Sequence, residues 1–311
     1  MKAVFLDAAT LGEDVDLSPI ENIAGGLTYH PRTNPEQVIQ RIQGFDTVLV
    51  NKVVLNGEHF EACPELKTIA VVATGLNNID LEAAKAHDIK VMNVTNYGRS
   101  TVAQHTMALI LALATRLLDY NRGARNGQWA KSDMFCLMDY PIMELEGKTL
   151  GIVGYGDLGQ GVAERAKAFG MNIVLGCRPG QEPGEVDGYP RIPLDELLVQ
   201  ADVLSLHCLL TEETRNMIGA RELGLMKSSA LLINTSRGGL VDEAALAEAL
   251  RRGDIAGAGF DVLTEEPPRN GNPLLADNVP NLILTPHSAW ASQEARQRIV
   301  EITARNLASV T

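Results

Sequence analysis

Residues 149–159 read TLGIVGYGDLG, and the fold is decided there. Thr149–Val153 is a short apolar run of strand character. Gly154, Gly156 and Gly159 follow in G-x-G-x-x-G spacing, and residues 160–170 (QGVAERAKAFG) carry helical periodicity. A strand, a glycine turn and a helix in that order form the phosphate cradle of dinucleotide-binding α/β folds. Gly154 permits the tight turn and Gly156 lets backbone approach a pyrophosphate. Gly159 lets helix and strand pack closely, and the helix N-terminus carries partial positive charge. The spacing alone also occurs in plain glycine turns. A second apolar run at Asn172–Leu175 completes a βαβ unit and favours dinucleotide binding.

The same alternation runs outward from this unit. Downstream strand candidates are Val203–Leu206, Ala230–Ile233, Gly257–Phe260 and Leu282–Leu284. Upstream they are Ala3–Leu6, Thr47–Val50, Thr68–Val72 and Lys90–Val94, with helical spacing between them in segments such as Asn34–Gln43 and Leu81–His87. Strands alternating with helices imply parallel sheets covered on both faces. The expected class is α/β, with two doubly wound parallel-sheet domains. Ser100–Leu118 reads as one long helix, apolar all round and therefore buried, capped by Ser100 or Thr101. Asp119–Leu145 reads as irregular. The helical tail Ser292–Val310 is expected to cover the first domain, which is one helix short. Residues 1–99 plus 289–311 would then form a discontinuous first domain. Residues 100–288 would be inserted into it, with a ligand cleft between the two.

Composition narrows the function. Apolar residues make up 45% and charged residues 21%, ordinary for a globular chain. Lys plus Arg is 27 and Asp plus Glu is 39, a net charge of −12. An acidic chain without a basic block suits neither nucleic acid nor an anionic membrane surface. No apolar run approaches the ~18 residues of a membrane span. The start, MKAVFLDAAT, does not read as a signal peptide. Cys63, Cys136, Cys177 and Cys208 show no CxxC spacing, so neither a metal site nor a disulfide framework is expected, and a cytoplasmic location is.

Several strand ends carry chemistry. NAD-preferring folds usually place an acid after the second strand, to hold the ribose 2′-hydroxyl. Residues 175–179 are LGCRP instead. Cys177 lacks carboxylate oxygens and Arg178 suits a 2′-phosphate, which favours NADP, with NAD as the alternative. Three further segments are INTSRGGLVD (233–242), GFDVLTEEP (259–267) and TPHSAW (285–290). Arg offers a charged planar fork for a carboxylate and a carbonyl together. His exchanges protons in the neutral range, and a neighbouring carboxylate stabilises its charged form. The remaining histidines (His30, His59, His87, His105 and His207) have no such context. His105 is expected to be satisfied within the buried helix.

Together these motifs resemble the D-isomer-specific 2-hydroxyacid dehydrogenases over essentially the whole chain. Residues 1–12 (MKAVFLDAATLG) and 285–296 (TPHSAWASQEAR) are most similar to the branch that interconverts hydroxypyruvate and D-glycerate. The resemblance implies a flavodoxin-like substrate domain, a Rossmann cofactor domain and a homodimer built around the segment near Trp129. It implies reduction of small 2-keto acids, with glyoxylate to glycolate as a second activity. Arg237 would orient the substrate, Glu266 would be the carboxylate and His287 the acid/base. Thr74 and Gly75 match a loop whose amides hold the substrate carboxylate. Asp157, Leu158, Cys208, Thr235 and Asp261 match cofactor contacts, and Cys177 stands where the family has its acidic ribose ligand. Glu265, adjacent to Glu266, is the alternative partner for His287. Tyr97, Arg99 and Trp290 are candidates for lining the substrate pocket. D-lactate or phosphite chemistry and a non-catalytic nucleotide sensor are the competing readings.

Overall fold

A computed structural model describes residues 1–310. The chain divides into two compact units, Met1–Gly98 with the residues from Ala291 onward, and Arg99–Trp290.

In the first unit the strands are β1 (Ala3–Phe5), β2 (Leu27–Tyr29), β3 (Thr47–Val50), β4 (Thr68–Val71) and β5 (Lys90–Met92). They lie in the order β2-β1-β3-β4-β5, the flavodoxin-like order, and every pair is parallel. Helices α1 (Ser18–Ala24), α2 (Val38–Ile42), α3 (Gly57–Ala62) and α4 (Leu81–Ala86) connect them. In-register Val4, Val48 and Ile69 are fully buried, as are Ile42 and Phe60 from the helices. Each such side chain contributes ~1.5–3 kcal/mol by leaving water. β2 was not among the strands expected from sequence. It is a half-exposed edge strand, so its Leu-Thr-Tyr run shows no apolar signature.

The second unit contains β6 (Thr149–Val153), β7 (Asn172–Gly176), β8 (Gly184–Val186), β9 (Tyr189–Ile192), β10 (Val203–Leu206), β11 (Leu231–Asn234), β12 (Gly257–Phe260) and β13 (Leu282–Leu284). Their order is β13-β12-β11-β10-β6-β7-β9-β8. The order of strands reverses at β6, the switch point where α/β sheets bind ligands. The sheet is not purely parallel, because β8 pairs antiparallel with β9. These two strands were missed. Asp187 and Gly188 both take positive φ (51° and 79°), as an Asp-Gly hairpin turn requires.

The expected single helix Ser100–Leu118 is two helices. Helix α5 (Arg99–Ala114) ends where Arg116 turns left-handed at φ 53°, and α6 (Leu117–Arg125) leaves at a 58° bend. Part of the segment read as irregular is thus helical. Arg116 is held there by Asp119, 2.6 Å away, and lies over the Tyr140 ring. No single helix among the described residues is long and apolar enough to cross a membrane. Helix α5 packs across β12, where Gly257 and Gly259 make room for it. A Cβ at Gly259 would stand 3.0 Å from Leu109 Cβ. Helices α7 (Asp157–Ala168), α8 (Leu194–Gln200), α9 (Ala220–Leu225) and α10 (Glu243–Arg252) complete the covering layers. In the first unit the tail forms α11 (Gln293–Ala308), capped by the Ser292 side chain, which accepts from the Ala295 N–H. It packs on α1.

Candidate active site

The glycine loop follows β6 at the switch point. Its three glycines have different neighbours. A Cβ at Gly154, whose φ is 99°, would lie 2.4 Å from the backbone nitrogen of Cys208. One at Gly159 would lie 2.2 Å from the Gly154 carbonyl oxygen. Both positions are closed by the protein's own packing. A Cβ at Gly156 would meet nothing within 4 Å. The backbone N–H groups of Tyr155, Gly156, Asp157, Leu158 and Gly159 donate to no acceptor among the described residues. Unengaged amides at the start of a helix, beside open space, fit the pyrophosphate of a dinucleotide. Behind Gly154 lies His207. Its Nε2 is 2.8 Å from Ser205 Oγ, its Nδ1 is buried without a partner, and burial pushes its pKa down to about 4.

At the end of β7, Cys177 is buried and its N–H donates to the Ile192 carbonyl. The next residue, Arg178, is held through its backbone N–H by Gln181 Oε1, while its guanidinium makes no hydrogen bond or ion pair among the described residues. No carboxylate occupies the strand end.

The Arg237 turn is shaped by Asn234, whose Nδ2 donates to the Arg237 carbonyl (2.9 Å) while its Oδ1 accepts from Ser236 N–H (3.1 Å). Gly238 seats that turn against the next loop: a Cβ there would be 2.0 Å from the Leu263 carbonyl carbon. The guanidinium of Arg237 is exposed and donates to the Ser236 carbonyl. In the neighbouring loop, Glu266 Oε2 lies 2.6 Å from His287 Nδ1, and Glu266 Oε1 accepts from Leu263 N–H at 2.8 Å. Glu265 turns away to Asn270, which leaves Glu266 as the partner of His287. Burial opposes ionisation of Glu266. The His287 hydrogen bond, the Leu263 N–H and the charges of His287 and Arg237 outweigh it and hold the carboxyl below its ordinary value.

His287 itself adopts φ 52°, an uncommon conformation for a residue with a side chain. Asp261 enforces it. The Asp261 carbonyl accepts from His287 N–H (2.8 Å), and its carboxylate accepts from Ser288 N–H (2.9 Å), Ala289 N–H (2.8 Å) and Thr285 Oγ1 (2.5 Å). Sequence reasoning read Asp261 as a cofactor contact. In the fold its side chain is 1% exposed and clamps the His287 turn. The side chains of two other expected contacts are also turned to protein partners. Thr235 Oγ1 pairs with Thr106 Oγ1 at 2.9 Å, and the Cys208 thiol lies 3.8 Å from Met217 Sδ. Burial pushes that thiol's pKa up.

Arg99 lies beside Tyr155, Gln160 and Tyr189 at a surface hollow of its unit. It opens α5 and pairs with Asp157 (3.3 Å) and Glu164 (3.4 Å) on α7. Trp290 is half-buried. In the first unit the loop after β4 carries Thr74 and Gly75. Thr74 Oγ1 donates to the Val94 carbonyl (2.8 Å), and the Thr74 carbonyl accepts from Asn93 Nδ2 (2.7 Å). The N–H groups of Thr74, Gly75 and Leu76 donate to no acceptor among the described residues. The Tyr97 carbonyl accepts from Arg298 Nε. Asp7, at the end of β1, was overlooked. It accepts the N–H groups of Asn51, Lys52 and Val53 and so fixes the loop after β3. An acid directly after an apolar strand was its only signal.

Known proteins place the chain in a family. Residues 107–289 match the family model of the D-isomer specific 2-hydroxyacid dehydrogenase NAD binding domain. A glycerate dehydrogenase of Methylorubrum extorquens is 45% identical over 303 residues, covering 96% of this chain and 93% of that protein. A hydroxypyruvate reductase of Blautia hydrogenotrophica is 37% identical over 310 residues, covering 99% and 96%. Among solved structures, an acyclic imino acid reductase in complex with NADPH and D-Arg superposes with a TM-score of 0.80 at 31% identity, covering 96% and 94%. The chain belongs to the D-isomer specific 2-hydroxyacid dehydrogenases, nicotinamide-dependent oxidoreductases, and it reduces 2-keto acids to D-2-hydroxy acids.

Proposed function

We propose that the chain reduces hydroxypyruvate to D-glycerate, and glyoxylate to glycolate more slowly, with Arg237, Glu266 and His287 as the reacting side chains. The observation that carries this reading is the 2.6 Å contact between His287 Nδ1 and Glu266 Oε2, with the charge of Arg237 acting on the same carboxylate. With Nδ1 committed to Glu266, Nε2 is the nitrogen left to give a proton. A bound reduced nicotinamide supplies the hydride for the carbonyl carbon. His287 Nε2 delivers the proton to the carbonyl oxygen, which would otherwise become an alkoxide. Arg237 binds the substrate carboxylate and polarises the carbonyl, because its fork is charged at every working pH. Glu266 keeps the ring oriented and offsets the imidazolium charge. The unengaged amides of Thr74 and Gly75 suit a carboxylate oxygen. The names of the two relatives support hydroxypyruvate and D-glycerate as the physiological pair.

The preferred nucleotide is NADPH over NADH. Support comes from the absence of a carboxylate after β7, the unpaired guanidinium of Arg178, and the NADPH held by the imino acid reductase. The Asp157, Leu158 and Gly159 amides hold the pyrophosphate. The functional unit is a homodimer. Between residues 117 and 142 the second unit exposes Leu117, Leu118, Trp129, Met134, Phe135, Met138 and Ile142, with Phe135 89% exposed. A run of large apolar groups that dense marks an interface with a second copy. The four unpaired cysteines suit a reducing cytoplasm.

A panel of 2-keto acids assayed with both reduced nucleotides tests the reading. Hydroxypyruvate with NADPH should give the highest kcat/KM. Tighter binding of NADH by several-fold refutes the nucleotide preference, and faster turnover of pyruvate refutes the substrate. Light scattering of the purified protein should give twice the chain mass.

A further inference from the structure

Helix α5 is apolar along most of its length, yet it carries Thr101, His105 and Thr106 at its N-terminal end. Between them these side chains reach two loops at the end of the sheet, those after β11 and β13. Thr101 Oγ1 donates to the Ala289 carbonyl (3.0 Å), Thr106 Oγ1 meets Thr235 Oγ1 (2.9 Å), and His105 Nε2 lies 2.9 Å from Thr285 Oγ1. Polar groups in such a place are costly unless bonded, and a leucine would pack there without that cost. The reason for a histidine therefore lies in what it bonds.

The hydrogen-bond directions are forced. The Asp261 carboxylate only accepts, so Thr285 Oγ1 donates to Asp261 Oδ1 across 2.5 Å. Thr285 Oγ1 must then accept from His105, which places the proton of that ring on Nε2. The same Nε2 stands 3.6 Å from Asp261 Oδ1. Asp261 is the residue that clamps the Ser288 and Ala289 amides and the left-handed His287. Chains of this kind polarise one another, so the outer donor strengthens the inner bond.

We propose that His105 is a positioning residue for His287, acting through Thr285 and Asp261. The inference rests on the assignment of His287 as the proton donor. His105 touches no reacting atom. Its contribution is to keep the Thr285 hydroxyl on Asp261 rather than on the Phe260 carbonyl, the other acceptor within reach at 3.5 Å. Loss of that bond leaves a buried carboxylate short of a donor and loosens the turn.

The experiment uses the full-length protein with His105→Ala, His105→Gln, Thr285→Val and the Ala/Val double variant. Steady-state kinetics and dinucleotide affinity are measured together with amide hydrogen exchange across residues 285–289. His105→Ala should lower kcat about tenfold, the scale of a reacting group held slightly out of place. KM and dinucleotide Kd should stay within about threefold. Gln, which keeps a donor, should restore most of the rate. Thr285→Val should reproduce the loss, and the double variant should fall no further, since both break one chain. Exchange at Ser288 and Ala289 should quicken in both single variants. If His105→Ala does not fold, Thr285→Val carries the test.

Unchanged exchange overturns the proposal. So does a loss of nucleotide affinity equal to the loss of kcat, which would mark a general structural role. Faster exchange alongside a fully active His287→Ala enzyme would leave the positioning intact and refute the reading of His287 instead.

Discussion

Two strand-end regions of the second unit solve their problems in opposite ways. In the loop after β6 the backbone is left open: amides from Tyr155 to Gly159 have no acceptor among the described residues and Gly156 faces open space. In the loops after β11, β12 and β13 buried polar side chains tie the backbone down. Asn234 holds the Arg237 turn, and Asp261 holds the His287 turn. A pyrophosphate needs several converging donors, which the fixed peptide groups at a helix start supply. Proton transfer needs one nitrogen held in place, which only a braced side chain supplies. The two regions should therefore respond differently to substitution.

The largest separation is expected at His287. Replacing it by Ala should cut kcat ~10²–10⁴-fold, the usual contribution of a general acid. Dinucleotide affinity, measured by quenching or calorimetry, should barely change. A parallel loss of affinity would mean the two regions are not separable.

Next is Arg237→Lys. The charge survives and the planar fork does not, so kcat/KM should fall ~10–10²-fold. Full activity in the lysine variant would show that charge alone suffices there.

The glycine loop provides an internal contrast. Gly154→Ala should cost ~2 kcal/mol or more in urea unfolding, because its Cβ would enter the Cys208 backbone at positive φ. Gly156→Ala, at φ −90°, should leave stability within ~0.5 kcal/mol while weakening the dinucleotide about tenfold. Equal stability losses at both positions would erase the distinction between packing glycine and ligand glycine.

The smallest effect concerns pH. Glu266 has a depressed pKa, so its ionised form contributes stability above the unfolded-state value of ~4.3. That contribution disappears as pH falls through the lower folded value. Wild type should therefore melt about 1–3 °C above Glu266→Gln near neutrality. The gap should close on acidification below about pH 4. A gap that widens with acid would mean the carboxylate is not the stabilised form.

Much of this was legible in the chain. The βα alternation and the glycine spacing are local signals, set by neighbours a few residues apart. The exceptions are instructive. Edge strand β2 and the β8–β9 hairpin have exposed faces, so no apolar run announces them. The Arg116 turn that breaks the long helix relies on Asp119 and Tyr140, and the second partner is remote in sequence. Arg237, Glu266 and His287 could be named because each follows a strand in a distinctive string. The bracing role of Asp261 could not be read from the sequence, because its partners at 285, 288 and 289 belong to another loop. His105 looked inert for the same reason, since Thr285 is 180 positions away.

The sequence by itself determined the alternation of the central strands and helices, the glycine turn and the inventory of charged and titratable groups. Tertiary structure alone decided which glutamate meets His287, which ring nitrogen remains free, and that Asp261 serves as a clamp. The physical reason is range. Backbone propensity and apolar periodicity act over a few residues, whereas a hydrogen bond forms only when packing brings its atoms to about 3 Å.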